Sequence, residues 1–286
     1  MRIVTSAADD PVTVPSRSLA ADGSAAADGS GAAAVAVSHL HLAFGGVTAL
    51  NDVSFSIRPG EIYAIVGPNG AGKSSALNCI SGLHAPGSGE ILINGRQVTG
   101  RRTHKMAELG VGRTFQNINL YGGMSVLDNV MTGRTVHMKG GLARAVLRPW
   151  GIREEARHRV VVEEIIEFLH LQQHRHAHVE KLGYGIRKRV DLARALAMEP
   201  QVLLLDEPMA GMTLEEKEDM ARAILDIRTD RSATVVFVEH DMGVVSDIAD
   251  RALVLDWGEV IAEGGAAEIL NLPHVISAYL GKAAQA

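Results

Sequence analysis

One run of residues constrains this chain more than any other: Gly67-Pro68-Asn69-Gly70-Ala71-Gly72-Lys73-Ser74-Ser75. It fits the spacing G-x-x-x-x-G-K-[ST]. The stretch before it, Glu61-Ile62-Tyr63-Ala64-Ile65-Val66, reads as a buried strand, and Ser74 to Ser81 after it reads as a helix start. A strand that turns through glycines into a helix is the phosphate-binding loop of an α/β fold. Glycines let backbone N–H groups wrap a pyrophosphate. The helix N-terminus adds a partial positive charge, Lys73 adds a full one, and Ser74 offers a hydroxyl to Mg²⁺. The candidate contacts to a nucleoside triphosphate are therefore Asn69, Gly70, Gly72, Lys73, Ser74 and Ser75. The loop alone does not say what the energy drives.

Composition narrows the classes. The chain has 286 residues, a formal net charge of −5 and a hydrophobic fraction of 47%. That is ordinary for a globular protein with a full core. The slightly acidic balance argues against a nucleic-acid binder, which shows a basic face. The single cysteine, Cys79, falls on the helix after the loop and reads as a small buried residue, which suits a reducing cytosol. There is no run of about 20 apolar residues to span a bilayer, and no charged segment followed by an apolar core to signal secretion. The expectation is cytosolic residence, so any work at a membrane needs docking on an embedded partner.

Residues 1–36 are rich in Ala, Gly, Ser and Asp without apolar periodicity, and are expected to be a disordered tail. From there short strand-like runs appear, Val35-Ala36-Val37 and Val53-Ser54-Phe55-Ser56-Ile57. A hairpin follows the loop unit, Glu90-Ile91-Leu92-Ile93 turned by Asn94-Gly95. Residues 117–181 read as mostly helical, with the clearest helix near 153–171, where Val161, Ile165, Phe168 and Leu169 recur at helical spacing. Val202-Leu203-Leu204-Leu205 and Val235-Val236-Phe237-Val238 are continuous apolar runs, as in parallel strands covered on both faces. The fold class is α/β: a nucleotide-binding core interrupted by a helical insertion.

The run Leu203-Leu204-Leu205-Asp206-Glu207-Pro208 delivers two carboxylates at a strand end. Asp206 is placed to hold Mg²⁺ through its water shell. Glu207 is placed to deprotonate the attacking water. Gln116 sits where the core meets the helical insertion, and a neutral amide there suits Mg²⁺ or the attacking water. His240 ends the next apolar strand, where an imidazole bonds a γ-phosphate. The expected metal ligands are thus Ser74, Gln116 and Asp206, and the expected catalytic residues are Glu207, His240 and Gln116.

The segment Leu182-Gly183-Tyr184-Gly185-Ile186, then Arg189-Val190, Leu192 and Ala193-Arg194-Ala195-Leu196, resembles the signature of ABC-transporter ATPases. With the phosphate loop, Gln116, Asp206-Glu207 and His240 in the same order, the resemblance covers residues 38–282. It is most similar to the branched-chain amino-acid importer ATPases. That likeness is carried by Ala43-Phe44-Gly45-Gly46, Arg113-Thr114-Phe115-Gln116, Ala210-Gly211-Met212-Thr213, the end from Pro273 to Gly281, and an insertion near 134–158.

The resemblance implies a P-loop ABC ATPase core with a small antiparallel β subdomain and a helical subdomain. It implies one ABC ATP-binding domain over 37–282, with 117–181 helical and 283–286 a tail. It implies ATP and Mg²⁺ as cofactors. Two such domains sandwich ATP, so the partners are a second ABC ATPase (the same chain or a paralogue), membrane permease subunits and a separate solute-binding protein, at the cytoplasmic side of the inner membrane. Gly183 and Gly185, at a helix start, are implied contacts to the partner's nucleotide. Phe44, upstream of Gly67, is where the family stacks an aromatic ring on adenine; its alternative is a core position in the small sheet.

Departures from the family pattern include Gly183 for the signature Ser, Ile186 for its Gln, and Thr213 for the Asp common after Asp206-Glu207. The histidines 170, 174, 176 and 178 read as a solvated loop rather than a metal site, and Arg187-Lys188-Arg189 as structure and dimer contact. The basic segment Arg134–Arg159, with Leu142, Val146, Leu147 and Trp150, suits either a membrane-domain loop or lipid surface, or a cap on the helical subdomain. Rival functions are a lipopolysaccharide-export ATPase and a soluble ATPase of iron–sulfur cluster assembly. A P-loop kinase or GTPase is opposed by the signature segment and by His240.

Overall fold

The strand runs resolve into two sheets in a computed structural model that describes residues 32–138 and 148–283. Most of the expected N-terminal tail, Leu142, Val146 and Leu147 of the basic segment, and residues 284–286 lie outside the described residues. The first sheet is antiparallel, in the order β2-β1-β4-β5. Its strands are β1 (Val35–Phe44), β2 (Val47–Ile57), β4 (Ser88–Ile93) and β5 (Arg96–Gln97). The expected runs 35–37 and 53–57 are the paired ends of β1 and β2, with Val35 opposite Ile57 and Val37 opposite Phe55. Both strands run further than the sequence suggested. Register shifts after Val37 and around Leu42 break the period-two alternation that reveals a strand. The Asn94-Gly95 turn has φ of 48° and 73°, the paired positive values that a tight two-residue hairpin demands.

The second sheet has the order β10-β9-β3-β8-β7-β6. It comprises β3 (Ile62–Val66), β6 (Val111–Arg113), β7 (Val202–Asp206), β8 (Thr234–Val238), β9 (Arg251–Asp256) and β10 (Glu259–Gly265). All its pairings are parallel except β9 with β10. Every residue of β3, β7 and β8 is buried, which is why these strands read as unbroken apolar runs. Alternation still sorts the two faces. Ile62, Ala64, Leu203, Leu205, Val235 and Phe237 join one core with Val130, Ile165, Leu192 and Ile224. These come from the helices α3 (Val126–Gly133), α4 (Arg148–Phe168), α5 (Tyr184–Leu196) and α6 (Leu214–Arg231). Tyr63, Ile65, Val202, Leu204 and Val236 face the other way. They join Ala76, Leu77 and Ile80 of α1 (Lys73–Ile80), Met106 of α2 (Thr103–Glu108), and Leu40, Val53 and Phe55 of the first sheet. Each Val, Leu, Ile or Phe side chain among these contributes about 1.5–3 kcal/mol on burial.

The long helix expected near 153–171 runs instead from Arg148 to Phe168. His170, with φ of 55°, turns the chain out of it. His174 is half-buried and His176 and His178 are exposed in the connection that follows. Arg134 of the basic segment is buried and donates to the Ala197 carbonyl at 2.7 Å and to Glu199 at 2.8 Å, so at this residue the segment is a structural tie. Cys79 is buried in α1, and burial pushes its thiol up to about 11, as for an inert packing residue. Among the described residues no helix is long and apolar enough to cross a membrane.

Parallel strands end on the same side, so whatever follows β3, β6, β7 and β8 converges at one edge of the sheet. Gly67, Thr114–Gln116, Asp206-Glu207 and Glu239-His240 all stand there.

Candidate active site

The phosphate loop is shaped by two glycines. Gly67 has φ of 148°, and a Cβ there would run into the carbonyl oxygen of Leu255 in β9. Gly72, with φ of 100°, caps α1, and a Cβ on it would lie 2.5 Å from the Ala49 carbonyl oxygen. Only glycine satisfies both the left-handed backbone and the close approach. Lys73 is buried and its Nζ donates to the carbonyls of Gly67 at 2.7 Å and Pro68 at 2.9 Å, which holds the charge against the loop. The loop residues Asn69–Ser75, with Val47–Ala49, Gln116, Glu207, His240 and Trp257, line a cavity of about 320 Å³. That is within the range of small-molecule sites. Asn69, Gly70, Gly72, Lys73, Ser74, Ser75, Gln116, Glu207 and His240, expected from widely separated motifs, thus share one cavity.

Asp206 is buried at the end of β7. Its Oδ1 accepts from Ser74 Oγ at 3.3 Å and its Oδ2 from Arg113 Nη2 at 3.1 Å. Arg113 also donates to Asn78 Oδ1 at 2.6 Å and to Ser81 Oγ at 2.5 Å. Burial lowers the Arg113 pKa, and the Asp206 carboxylate opposes that shift. A hydroxyl and a carboxylate side by side at a helix N-terminus form a sparse, all-oxygen donor set. It fits Mg²⁺, which keeps several waters and takes few protein ligands beside substrate phosphates.

Glu207 is held from two sides. Its Oε1 is 2.6 Å from His240 Nε2, and its Oε2 accepts from Gln116 Nε2 at 2.9 Å. An ionised carboxylate only accepts, so the His240 nitrogen facing it carries the proton. Glu207 has φ of 49°, a left-handed backbone that costs a non-glycine residue about 1–2 kcal/mol. Next to it, buried Glu239 accepts from the Met209 N–H at 2.8 Å and the His240 N–H at 3.2 Å. This fastens the end of β8 to the chain after Glu207. Burial raises the Glu239 pKa, with the two N–H bonds opposing.

Phe44 is not among the residues of the cavity wall. It is 48% exposed at the tip of the β1–β2 hairpin, so the core alternative is overturned, and its ring meets His84 edge-on at 5.1 Å. The aromatic residue in the wall is Trp257, 74% exposed on the β9–β10 turn with φ of 49°. That turn is tied to the phosphate loop, because the Gly258 N–H donates to the Ala71 carbonyl at 3.0 Å.

Gly183 and Gly185 also lie outside the cavity, at the start of α5, where Gly183 is the N-cap and Gly185 is buried. A Cβ on Gly185 would collide with the Glu216 carboxylate. Glu216 itself is set by a capping box on α6, with the Thr213 N–H donating to its Oε2 at 3.0 Å. Thr213, a departure from the family pattern, therefore caps a helix here.

Sequence reasoning gave no role to Arg113, Glu239 or Trp257, and it read Lys188, with Arg187 and Arg189, as structure and dimer contact. Lys188 is buried, which fits the structural part of that reading. One signal for it is visible in the sequence: at helical spacing it falls on the same face as Leu192 and Ala195, where a surface lysine does not belong. Arg113 meets Asp206 93 positions away and Glu239 meets Met209 30 positions away, and no local pattern reveals these pairings.

Residues 50–210 match the ABC transporter family. The chain is 36% identical over 252 residues to the high-affinity branched-chain amino acid transport ATP-binding protein LivG of Salmonella typhimurium, covering 87% of this chain and 98% of that one. It is also 36% identical to the sulfate/thiosulfate import ATP-binding protein CysA of Methylococcus capsulatus, over 84% of this chain and 65% of that one. Among solved structures it superposes on the ADP conformation of an ABC-transporter ATP-binding cassette with a TM-score of 0.77 at 27% identity, covering 87% of this chain and 99% of that one. A dimeric cassette in a post-hydrolysis state bound to ADP and Pi matches with a TM-score of 0.69 at 26% identity, over 81% of this chain and 98% of that one.

Proposed function

This chain belongs to the ABC transporter family of ATPases, and on that premise we propose that it is the ATP-hydrolysing motor subunit of an importer for branched-chain amino acids or a related small polar solute. The observation that carries the hydrolytic reading is the Glu207 carboxylate, braced by His240 at 2.6 Å and Gln116 at 2.9 Å in the cavity that the phosphate loop lines. The solute is argued from LivG, which this chain matches over 98% of that protein's length, whereas the match to CysA covers 65% of its length.

In this reading the phosphates of ATP lie along the N–H groups of the loop from Asn69 to Ser75, with Lys73 supplying positive charge. Ser74, Asp206 and Gln116 would hold Mg²⁺, which supplies electrostatic stabilisation of the phosphate oxygens. Glu207 takes a proton from water as the water oxygen bonds to the γ-phosphorus. The bond from that phosphorus to the bridging oxygen breaks, releasing ADP and phosphate. Gln116 and His240 fix the carboxylate's direction, and when ATP is bound the His240 N–H passes from Glu207 to the γ-phosphate. Gly183 and Gly185 serve the nucleotide of a second ATPase subunit, consistent with the dimeric cassette that the fold matches. The assembly then includes permease subunits and a separate solute-binding protein, with this chain peripheral on the cytoplasmic face of the inner membrane, and with residues 37–282 acting as one ATP-binding domain.

Pull-down of the chain from its native membranes in gentle detergent tests the assembly. Recovery of multi-span permease subunits with a second ATPase is expected; recovery of soluble partners alone would contradict a transport motor. The base contact is tested separately. In a Trp150→Phe background Trp257 is the remaining tryptophan, and ATP is expected to change its emission saturably. Phe44→Ala is expected to raise the KM for ATP about fivefold with kcat unchanged, as for loss of one ring contact of about 1 kcal/mol. An unchanged KM in Phe44→Ala, with a raised one in Trp257→Ala, would move the base contact to the β9–β10 turn.

A further inference from the structure

We propose that Lys188 is a positioning residue for hydrolysis: from the signature helix it clamps the backbone carbonyls of Gln116 and Glu207 together and so sets the attitude of the catalytic carboxylate. The inference rests on the reading of Glu207 as the base. Lys188 is 4% exposed in the first turns of α5. Its Nζ donates to the Gln116 carbonyl at 3.1 Å and to the Glu207 carbonyl at 3.0 Å. It also lies 5.9 Å from the centre of the Tyr184 ring, one turn earlier on the same helix.

A buried ammonium is costly unless its donors are used, and a lysine this enclosed is uncommon without partners. Burial lowers its pKa, while the carboxylates of Asp191, Glu239, Glu207 and Asp206 oppose the shift. What sets this lysine apart is the identity of its acceptors. They are the main-chain oxygens of the same two residues whose side chains meet at 2.9 Å, on loops 91 positions apart in the chain. The pair is therefore joined twice, once through the amide and carboxylate and once through Nζ. Glu207 holds a left-handed backbone with φ of 49°, a conformation that persists only when its surroundings over-determine it. A charge-assisted bond to its carbonyl supplies such a constraint from outside the loop. Because α5 begins at the signature segment, a shift of that helix moves the anchor of the carboxylate without touching the phosphate loop.

The test is steady-state ATPase kinetics together with nucleotide affinity for Lys188→Met, Lys188→Arg and Glu207→Gln, in the full chain with its partners. Lys188→Met is expected to lower kcat about 10–100-fold with KM and nucleotide Kd within about twofold, the pattern of a lost transition-state interaction. Lys188→Arg, which keeps the charge but not the point-like head, is expected to recover part of kcat. Unchanged kcat in Lys188→Met, or kcat and affinity falling together with no recovery in Lys188→Arg, would overturn the proposal. Should Lys188→Met fail to bind nucleotide, Lys188→Gln decides by the same split. If Glu207→Gln stays fully active, the base assignment itself fails; if Glu207→Gln is inactive and Lys188→Met is fully active, only the role of Lys188 fails.

Discussion

Glu207→Gln is expected to stop ATP hydrolysis, with kcat lower by about 10²–10⁴-fold and ATP binding retained. The substitution is nearly isosteric and removes the ability to take a proton. One of the two N–H groups facing residue 207, from Gln116 at 2.9 Å or His240 at 2.6 Å, then meets an amide NH₂, and the other imidazole tautomer of His240 accepts from that NH₂ without moving the loop. The phosphate-contacting groups from Asn69 to Ser75 are untouched, and so the affinity for ATP is expected to stay within about twofold. Glu207 is also restrained by two side-chain bonds, a left-handed backbone and a lysine on its carbonyl. Full activity in this variant would remove the general-base assignment.

Arg113→Met is expected to destabilise the protein by about 3–5 kcal/mol, through the charge it leaves behind. The Arg113 and Asp206 side chains are 8% and 6% exposed, at 3.1 Å. Without the guanidinium, Asp206 keeps one hydroxyl donor, Ser74 Oγ at 3.3 Å, for a buried carboxylate. Asn78 and Ser81 lose their arginine bonds at the same time. At roughly 2–4 °C per kcal/mol for a chain of this size, the melting temperature is expected to fall by about 10 °C. The double variant Arg113→Met with Asp206→Asn is expected to regain part of that loss, because removing both charges avoids the unpaired carboxylate. A double variant no more stable than Arg113→Met alone would show that packing, not the buried pair, sets the cost.

The strand–loop–helix unit was legible in the sequence because its signals are local. The strand is apolar, the glycines stand where the backbone turns left-handed at Gly67 and Gly72, and the helix follows at once. Val202–Asp206 and Thr234–Val238 were legible as parallel strands for the same reason, and Asp206-Glu207 and His240 stand at or just past their ends as expected. The Asn94-Gly95 hairpin was legible because only such residues adopt both of its positive φ angles. What the sequence hid was long-range. Arg113 meets an aspartate 93 positions away, and Lys188 reaches a carbonyl 72 positions away. The wall of the nucleotide cavity includes Trp257, from a turn far beyond the phosphate loop, while Phe44 points its ring at His84. β1 and β2 were read short because their bulges erase the alternation that marks a strand.

The most direct test of the transport reading is ATP-driven uptake of labelled leucine by membrane vesicles that carry this chain with its permease, second ATPase subunit and solute-binding protein, measured for the wild type and for Glu207→Gln side by side. Uptake that requires ATP and is abolished by Glu207→Gln is the predicted result. Leucine uptake that proceeds undiminished with the Glu207→Gln chain, or vesicles that accumulate none while wild-type ATPase activity is intact, would contradict it.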